Sequence, residues 1–113
     1  MRVLIVEDDY MIAMDTETLL ADAGCEVVGI AGTVPEALRM IAEIGCDGVL
    51  LDANLHHVSS EPVAVELRRR GIPFVVLSGS RKDQETGAYS GAPYLTKPCK
   101  APVLVATVLA LRA

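Results

Sequence analysis

The chain has 113 residues, is 51% hydrophobic, and carries ten Lys and Arg against fifteen Asp and Glu for a formal charge of −5. At roughly 150 residues per domain this is one domain spanning 1–113, with enough apolar material to exclude a disordered or low-complexity role. Its few bases are scattered along an acidic chain, so it offers no footprint for phosphate backbones and direct nucleic-acid binding is not expected.

An apolar run of only four residues precedes the acidic cluster Glu7-Asp8-Asp9, unlike a secretory or transit leader. Residues 3–6, Val-Leu-Ile-Val, read as a central strand. Ile12, Thr16, Leu19, Leu20 and Ala23 then recur at helical spacing, and Gly24 closes that helix. Residues 27–31 form the second strand. Thr33 with Glu36 makes a capping box for a helix through Ile44 whose core face is Val34, Ala37, Leu38 and Ile41.

Residues 48–51 are the third strand, ending at Asp52, and a polar loop over 53–60 leads to a helix starting near Pro62. Arg68, Arg69 and Arg70 before Gly71 suit the helix dipole and a left-handed cap rather than a ligand. Residues 73–77 are the fourth strand, ending at Ser78. The stretch 81–92 breaks the rhythm: Gly87, Gly91 and Pro93 interrupt it, and only Ala88, Tyr89 and Ala92 can face a core. At most one irregular turn is expected there, and the fastest amide exchange of the fold. Residues 94–96 are a short fifth strand, Lys97-Pro98 follows, and the last helix covers 102–111.

Strands and helices that alternate in this way predict a parallel sheet covered on both faces. The longest near-apolar run, 101–111, is about half a bilayer span, so no membrane insertion and a cytoplasmic location are expected. Cys25, Cys46 and Cys99 are odd in number and lack Cys-x-x-Cys spacing, which reads as plain buried thiols rather than a disulfide or zinc site.

In an open α/β sheet, chemistry gathers at the carboxyl ends of the strands. Glu7, Asp8 and Asp9 stand there after the first strand, Asp52 and Asn54 after the third, Ser78 and Gly79 after the fourth, and Lys97 after the fifth. Carboxylates crowded together raise each other's pKa unless they share a cation. Oxygen ligands without His or Cys suit Mg²⁺ better than zinc.

Val6-Glu7-Asp8-Asp9, Leu51-Asp52, Ser78-Gly79 and Lys97-Pro98, in this order and spacing, resemble the receiver domain of two-component response regulators over essentially the whole chain. The resemblance implies a flavodoxin-like, doubly wound five-stranded parallel sheet of order 2-1-3-4-5. It implies that Asp52 is the phosphoacceptor, that Glu7, Asp8 and Asp52 hold Mg²⁺ with the backbone carbonyl of Asn54, and that Ser78 and Lys97 bind the phosphoryl group. Ser78 and Tyr94 match the switch residues, and Lys97-Pro98 is expected to be cis. Asp9 falls one place beyond the acidic pair and is expected to begin the first helix.

Departures are Ser78 for the commoner Thr, Gly79 for a small side chain, Cys99 for Phe, and no Met-Pro after Asp52. None removes a catalytic group. Residues 81–92, with Asp52-Ala53-Asn54-Leu55, resemble a subset of stand-alone receivers whose fourth helix is shortened or absent.

The implied function is transfer of a phosphoryl group onto Asp52 from a phosphohistidine of a sensor histidine kinase or histidine phosphotransferase. With no output domain in the sequence, the chain is expected to signal by protein–protein interaction or to drain phosphoryl groups. Its chemistry is then limited to its own phosphorylation and dephosphorylation, so it is not an enzyme in the usual sense. A pseudo-receiver that binds partners without phosphorylation is the alternative. A haloacid-dehalogenase-like phosphohydrolase needs an acid where Asn54 stands, and a nucleotide or flavin binder needs a Gly-rich cradle where Glu7, Asp8 and Asp9 stand.

His56 and His57 read as exposed loop residues beside Asp52. The last helix has Thr107 as its only polar side chain between Val103 and Leu111. With Leu104, Val108 and Leu111 on the sheet, Val105 and Leu109 are left over, and a homodimer or partner-docking contact is expected.

Overall fold

The computed structural model describes residues 1–79 and 87–112. Strands β1 (Arg2–Val6), β2 (Glu26–Ala31) and β3 (Gly48–Asp52) precede a two-stranded hairpin, β4 (Asn54–Leu55) and β5 (Val58–Ser59), and β6 (Phe74–Ser78) and β7 (Tyr94–Thr96) follow it. The five long strands form one parallel sheet in the order β2-β1-β3-β6-β7, the flavodoxin-like order expected once the hairpin is set aside. The hairpin occupies what the sequence reads as a plain polar loop.

Helices α1 (Tyr10–Asp22), α2 (Val34–Glu43), α3 (Glu61–Arg70) and α4 (Ala101–Leu109) cover both faces. β1 shows why its apolar run is continuous. Leu4 and Val6 enter a core with Ile41 of α2 and Val63 and Leu67 of α3, while Val3 and Ile5 enter a second core with Ala13 and Leu20 of α1 and Leu104 and Val108 of α4. Alternate residues thus feed opposite layers, and each fully buried aliphatic is stabilising by about 1.5–3 kcal/mol over exposure. Among the described residues no helix is long and apolar enough to cross a membrane.

Helix ends follow the sequence signals. Thr33 accepts from the N–H of Glu36, the Asp9 carboxylate accepts from the N–H groups of Met11 and Ile12, and Gly71 closes α3 at φ 70°. The phase of α1 is one residue off expectation: Ala13, Thr16 and Leu20 are buried, whereas Ile12 is exposed. Asp9 fixes where the helix starts, and Ile12 lies at the edge between α1 and α4. There it lines a groove of about 420 Å³ with Leu19, Pro98, Cys99 and Leu104.

Two further expectations are corrected. Cys25 is buried, but Cys46 and Cys99 are only half-buried, and all three are free thiols. Val105 and Leu109 are not left over, since both pack with Leu111 against the α1/α4 core, and the exposed large apolar side chain of α4 is Val103.

Between β6 and β7 the described residues hold a single 3₁₀ turn, Gly87–Tyr89, in place of a helix, as expected. Residues 81–86 of the irregular stretch lie outside the described residues. The part from 87 to 92 is not loosely anchored: Tyr89 is 4% exposed in the α2/α3 core, with Ala88 and Ala92 packed on it. Arg68 donates to the carbonyls of Ala88 and Ser90 and lies 5.1 Å from the centroid of the Phe74 ring. Arg69 and Arg70 pair with Glu66. Arg68 is therefore a clamp on the turn as well as part of a cationic helix end.

Candidate functional site

The sheet order reverses between β1 and β3, so the residues that follow these two neighbouring strands meet at one crevice. The N–H of Glu7 donates to the Ala31 carbonyl at 2.9 Å, continuing the ladder one step past Val6 and holding Glu7 at the mouth of the sheet, 5% exposed. Asp8 follows it, and Asp9 is diverted to the cap of α1. Asp52, the last residue of β3, is 3% exposed beside Leu77. Its Oδ1 accepts from the N–H of Asn54 at 3.0 Å.

Lys97 enters from β7. Its backbone N–H donates to the Ser78 carbonyl at 2.8 Å, and its Nζ lies 2.6 Å from Asp52 Oδ2 and 3.7 Å from Glu7 Oε1. The Lys97-Pro98 bond is cis, as expected. Ser78 is buried at the end of β6, level with Thr96.

Among the described residues the charges of this pocket do not balance. Three carboxylates face one ammonium, and burial pushes the Glu7 carboxyl up to about 7, with the neighbouring Asp8 and Asp52 carboxylates adding to the rise. Asp8 goes the other way: its desolvation is outweighed by hydrogen bonds from Glu7 and from the N–H of His56. Burial would depress Lys97, but the Asp52 carboxylate, helped by Glu7 and Asp8, holds it above the usual lysine range.

Glu7, Asp8 and Asp52 each offer an oxygen within 4.8 Å of the others. An all-oxygen set with residual negative charge fits a hard divalent cation such as Mg²⁺ and not a soft metal.

Glu7, Asp8, Asp52 and Lys97 are thus brought together, with Ser78 tied to Lys97 through the backbone. Asn54 is exposed, and its side chain accepts from the N–H of His57 at 2.7 Å. Tyr94 stands outside the pocket, half-buried against the α2/α3 core and level with Val76.

His56 is exposed beside Asp52 as expected, but its contact with Asp8, like the reach of Tyr89, escaped the sequence reading. His56 donates its N–H to Asp8 Oδ2 at 3.0 Å and places Nδ1 3.2 Å from the same oxygen. The Tyr89 hydroxyl reaches the backbone next to Asp52. His-His lacks the Asn-Gly signature of a two-residue hairpin turn, so no local signal marked the contact of His56. Nothing in the local sequence marks the reach of Tyr89.

The doubly wound sheet thus sets an acidic pocket and a lysine at its strand ends, where a nucleotide-binding sheet of this kind sets a Gly-rich cradle. The chain belongs to the response regulator receiver domain family, whose model matches residues 3–109, and it is a receiver domain of two-component signalling.

It is 37% identical over 101 residues to the transcriptional regulatory protein PdtaR of Mycobacterium tuberculosis, covering 86% of this chain and 49% of that one. Solved structures similar to it include SdrG from Sphingomonas melonis Fr1, at 35% identity and TM-score 0.82 over 99% of this chain and 96% of that one. The receiver domain of the Francisella response regulator 1452 matches at 28% identity and TM-score 0.84 over 97% and 94%. The chain spans about half the length of the curated relatives it matches.

Proposed function

We propose that this domain takes a phosphoryl group from a phosphohistidine onto Asp52 and signals by the change that follows, or acts as a phosphate sink. The observation that carries this reading is the 2.6 Å contact between Lys97 Nζ and Asp52 Oδ2 beside the Glu7 and Asp8 carboxylates. Asp52 is the nucleophile: an oxygen–phosphorus bond forms as the phosphorus–nitrogen bond of the donor breaks, and the imidazole leaves. Such transfer needs in-line positioning and neutralisation of the equatorial oxygens more than acid–base help.

Glu7, Asp8, Asp52 and the Asn54 carbonyl would hold Mg²⁺, which when bound supplies that neutralisation from one side. Lys97 supplies it from the other by leaving Asp52 for a phosphoryl oxygen. Ser78, buried at the end of β6, offers its hydroxyl to the transferred group, and Tyr94 answers the shift of that strand end. The domain catalyses only its own phosphorylation and dephosphorylation, and works in the cytoplasm.

The donor is a sensor histidine kinase or a histidine phosphotransferase. Ile12 of α1 and Leu104 of α4 line a groove with Lys97, Pro98 and Cys99; Met11, Met14 and Val103 are exposed on the same two helices, and this edge serves as its docking face.

The test is labelling with acetyl phosphate and with a phosphorylated histidine kinase in the presence of Mg²⁺. Wild type should take up acid-labile label and Asp52→Asn should not. A wild type that takes none from either donor makes the domain a pseudo-receiver. Undiminished label on Asp52→Asn removes Asp52 as acceptor.

A further inference from the structure

Tyr89 lies on the 3₁₀ turn Gly87–Tyr89 that precedes β7, yet its side chain crosses to the loop after Asp52. The hydroxyl donates to the Ala53 carbonyl at 3.3 Å, Ser60 Oγ is 2.9 Å from it, and Ser59 Oγ is 3.4 Å from it. Ser60 is fully buried and Tyr89 nearly so. The Ala53 carbonyl also accepts from the N–H of Ser60 at 3.0 Å.

The partner of that carbonyl gives the contact its meaning. The carbonyl of Ala53 and the N–H of Asn54 belong to one planar peptide group, and the N–H donates to Asp52 Oδ1 at 3.0 Å. A rigid plane gripped at its oxygen cannot swing its nitrogen independently. Tyr89 therefore fixes one hydrogen bond of the Asp52 carboxylate from the far side of the loop.

The turn that carries Tyr89 is itself held. Glu61 at the start of α3 accepts from the N–H of Ala88 at 2.9 Å, and Arg68 at the end of α3 binds the carbonyls of Ala88 and Ser90. Gly87 permits this with φ 54°; a Cβ there would collide with the Glu61 carboxylate. One helix thus grips the turn at two points, and the turn grips the peptide plane beside Asp52.

We propose that Tyr89 is a positioning residue for the reaction at Asp52, acting through the Ala53–Asn54 peptide plane. This rests on the reading of Asp52 as phosphoacceptor. Tyr89 touches neither the phosphoryl group nor the Glu7 and Asp8 carboxylates, so it acts only through the orientation of Asp52, which serves the reaction and the cation alike.

The experiment compares wild type, Tyr89→Phe and Val63→Ala. Val63 is a fully buried neighbour on α3 whose truncation weakens the same core without touching the peptide plane. Three readouts are taken where each protein is folded: Asn54 amide exchange by NMR, Mg²⁺ affinity by titration, and the rate of labelling by acetyl phosphate at saturating Mg²⁺. Tyr89→Phe should speed Asn54 exchange and slow labelling, each by about tenfold, the scale of a sub-ångström misplacement, and saturating Mg²⁺, checked by the titration, keeps any loss of affinity at Asp52 out of the labelling rate. Val63→Ala should leave all three near wild type.

An unchanged labelling rate and Asn54 exchange in Tyr89→Phe would overturn the proposal, as would equal losses in Val63→Ala. A wild type that takes no label overturns the phosphoacceptor reading and this role with it, whereas a labelled wild type beside an unaffected Tyr89→Phe overturns this role alone.

Discussion

Lys97 Nζ sits 2.6 Å from Asp52 Oδ2, the lysine side chain 35% exposed and the aspartate 3%. The pair joins β7 to β3 across β6, which links strands that do not touch. Removing the cation leaves a buried carboxylate among two others, the costly way to break such a pair. Lys97→Ala should therefore lose about 1–2 kcal/mol in Mg²⁺-free buffer, and less with Mg²⁺ present, because the cation replaces the missing charge. Urea unfolding of Lys97→Ala, Asp52→Asn and the double variant should give a coupling energy between the two sites. Strict additivity would show that the pair is not formed in solution.

The Glu7 carboxyl titrates at about 7, raised above its ordinary 4.5 mainly by burial. A group whose folded pKa is raised favours folding while protonated. Its contribution is fully present below about 4.5 and is lost as pH rises through about 7. In chelator the protein should lose stability from this group across that window, and Glu7→Gln should flatten the profile. Mg²⁺ must displace the same proton, so its affinity should fall as pH drops below about 7, with proton uptake by buffer seen in calorimetry. Equal proton release by wild type and Glu7→Gln would assign the titration elsewhere.

His56 and His57 turn the β4–β5 hairpin with φ of 51° and 66°, both in the left-handed region. Two-residue hairpin turns of this hand prefer Asn-Gly, and a non-glycine residue held there is strained. The N–H of His57 keeps its bond to Asn54 whatever the side chain. His57→Gly should accordingly stabilise by about 0.5–1 kcal/mol in denaturant unfolding. His56→Gly should gain less, because it also loses the Nδ1 contact to Asp8. Destabilisation by His57→Gly would mean that the turn does not hold this conformation in solution.

Much of this molecule is written in short-range signals. The uninterrupted apolar strands, the Thr33 and Asp9 caps, and the carboxylates and lysine at the strand ends needed only local spacing to be read. What escaped depends on groups far apart in sequence or on conformations the residues do not advertise. His-His offers no cue for a left-handed turn, and three consecutive large apolar residues at the start of α1, Tyr10, Met11 and Ile12, gave no local sign that all of them face outward. Tyr89 was legible as a core ring, but its hydroxyl reaches Ala53, 36 positions away, and no periodicity encodes that.

The edge between α1 and α4 separates two accounts of partner binding. An all-round apolar last helix suggests a contact through Val105 and Leu109, yet both are packed against the domain's own core. Leu109→Glu should therefore destabilise the fold, by roughly 2 kcal/mol or more for a charge set against apolar neighbours, rather than release a dimer. Met11 is 76% exposed and Val103 is 49% exposed, so Met11→Glu and Val103→Glu should leave unfolding nearly unchanged. If this edge receives the phosphodonor, those two variants should slow transfer from a phosphorylated kinase while labelling by acetyl phosphate stays at the wild-type rate, since the small donor needs no docking surface. Equal slowing with both donors would trace the defect to the pocket, and no slowing with either would remove this edge as the docking face.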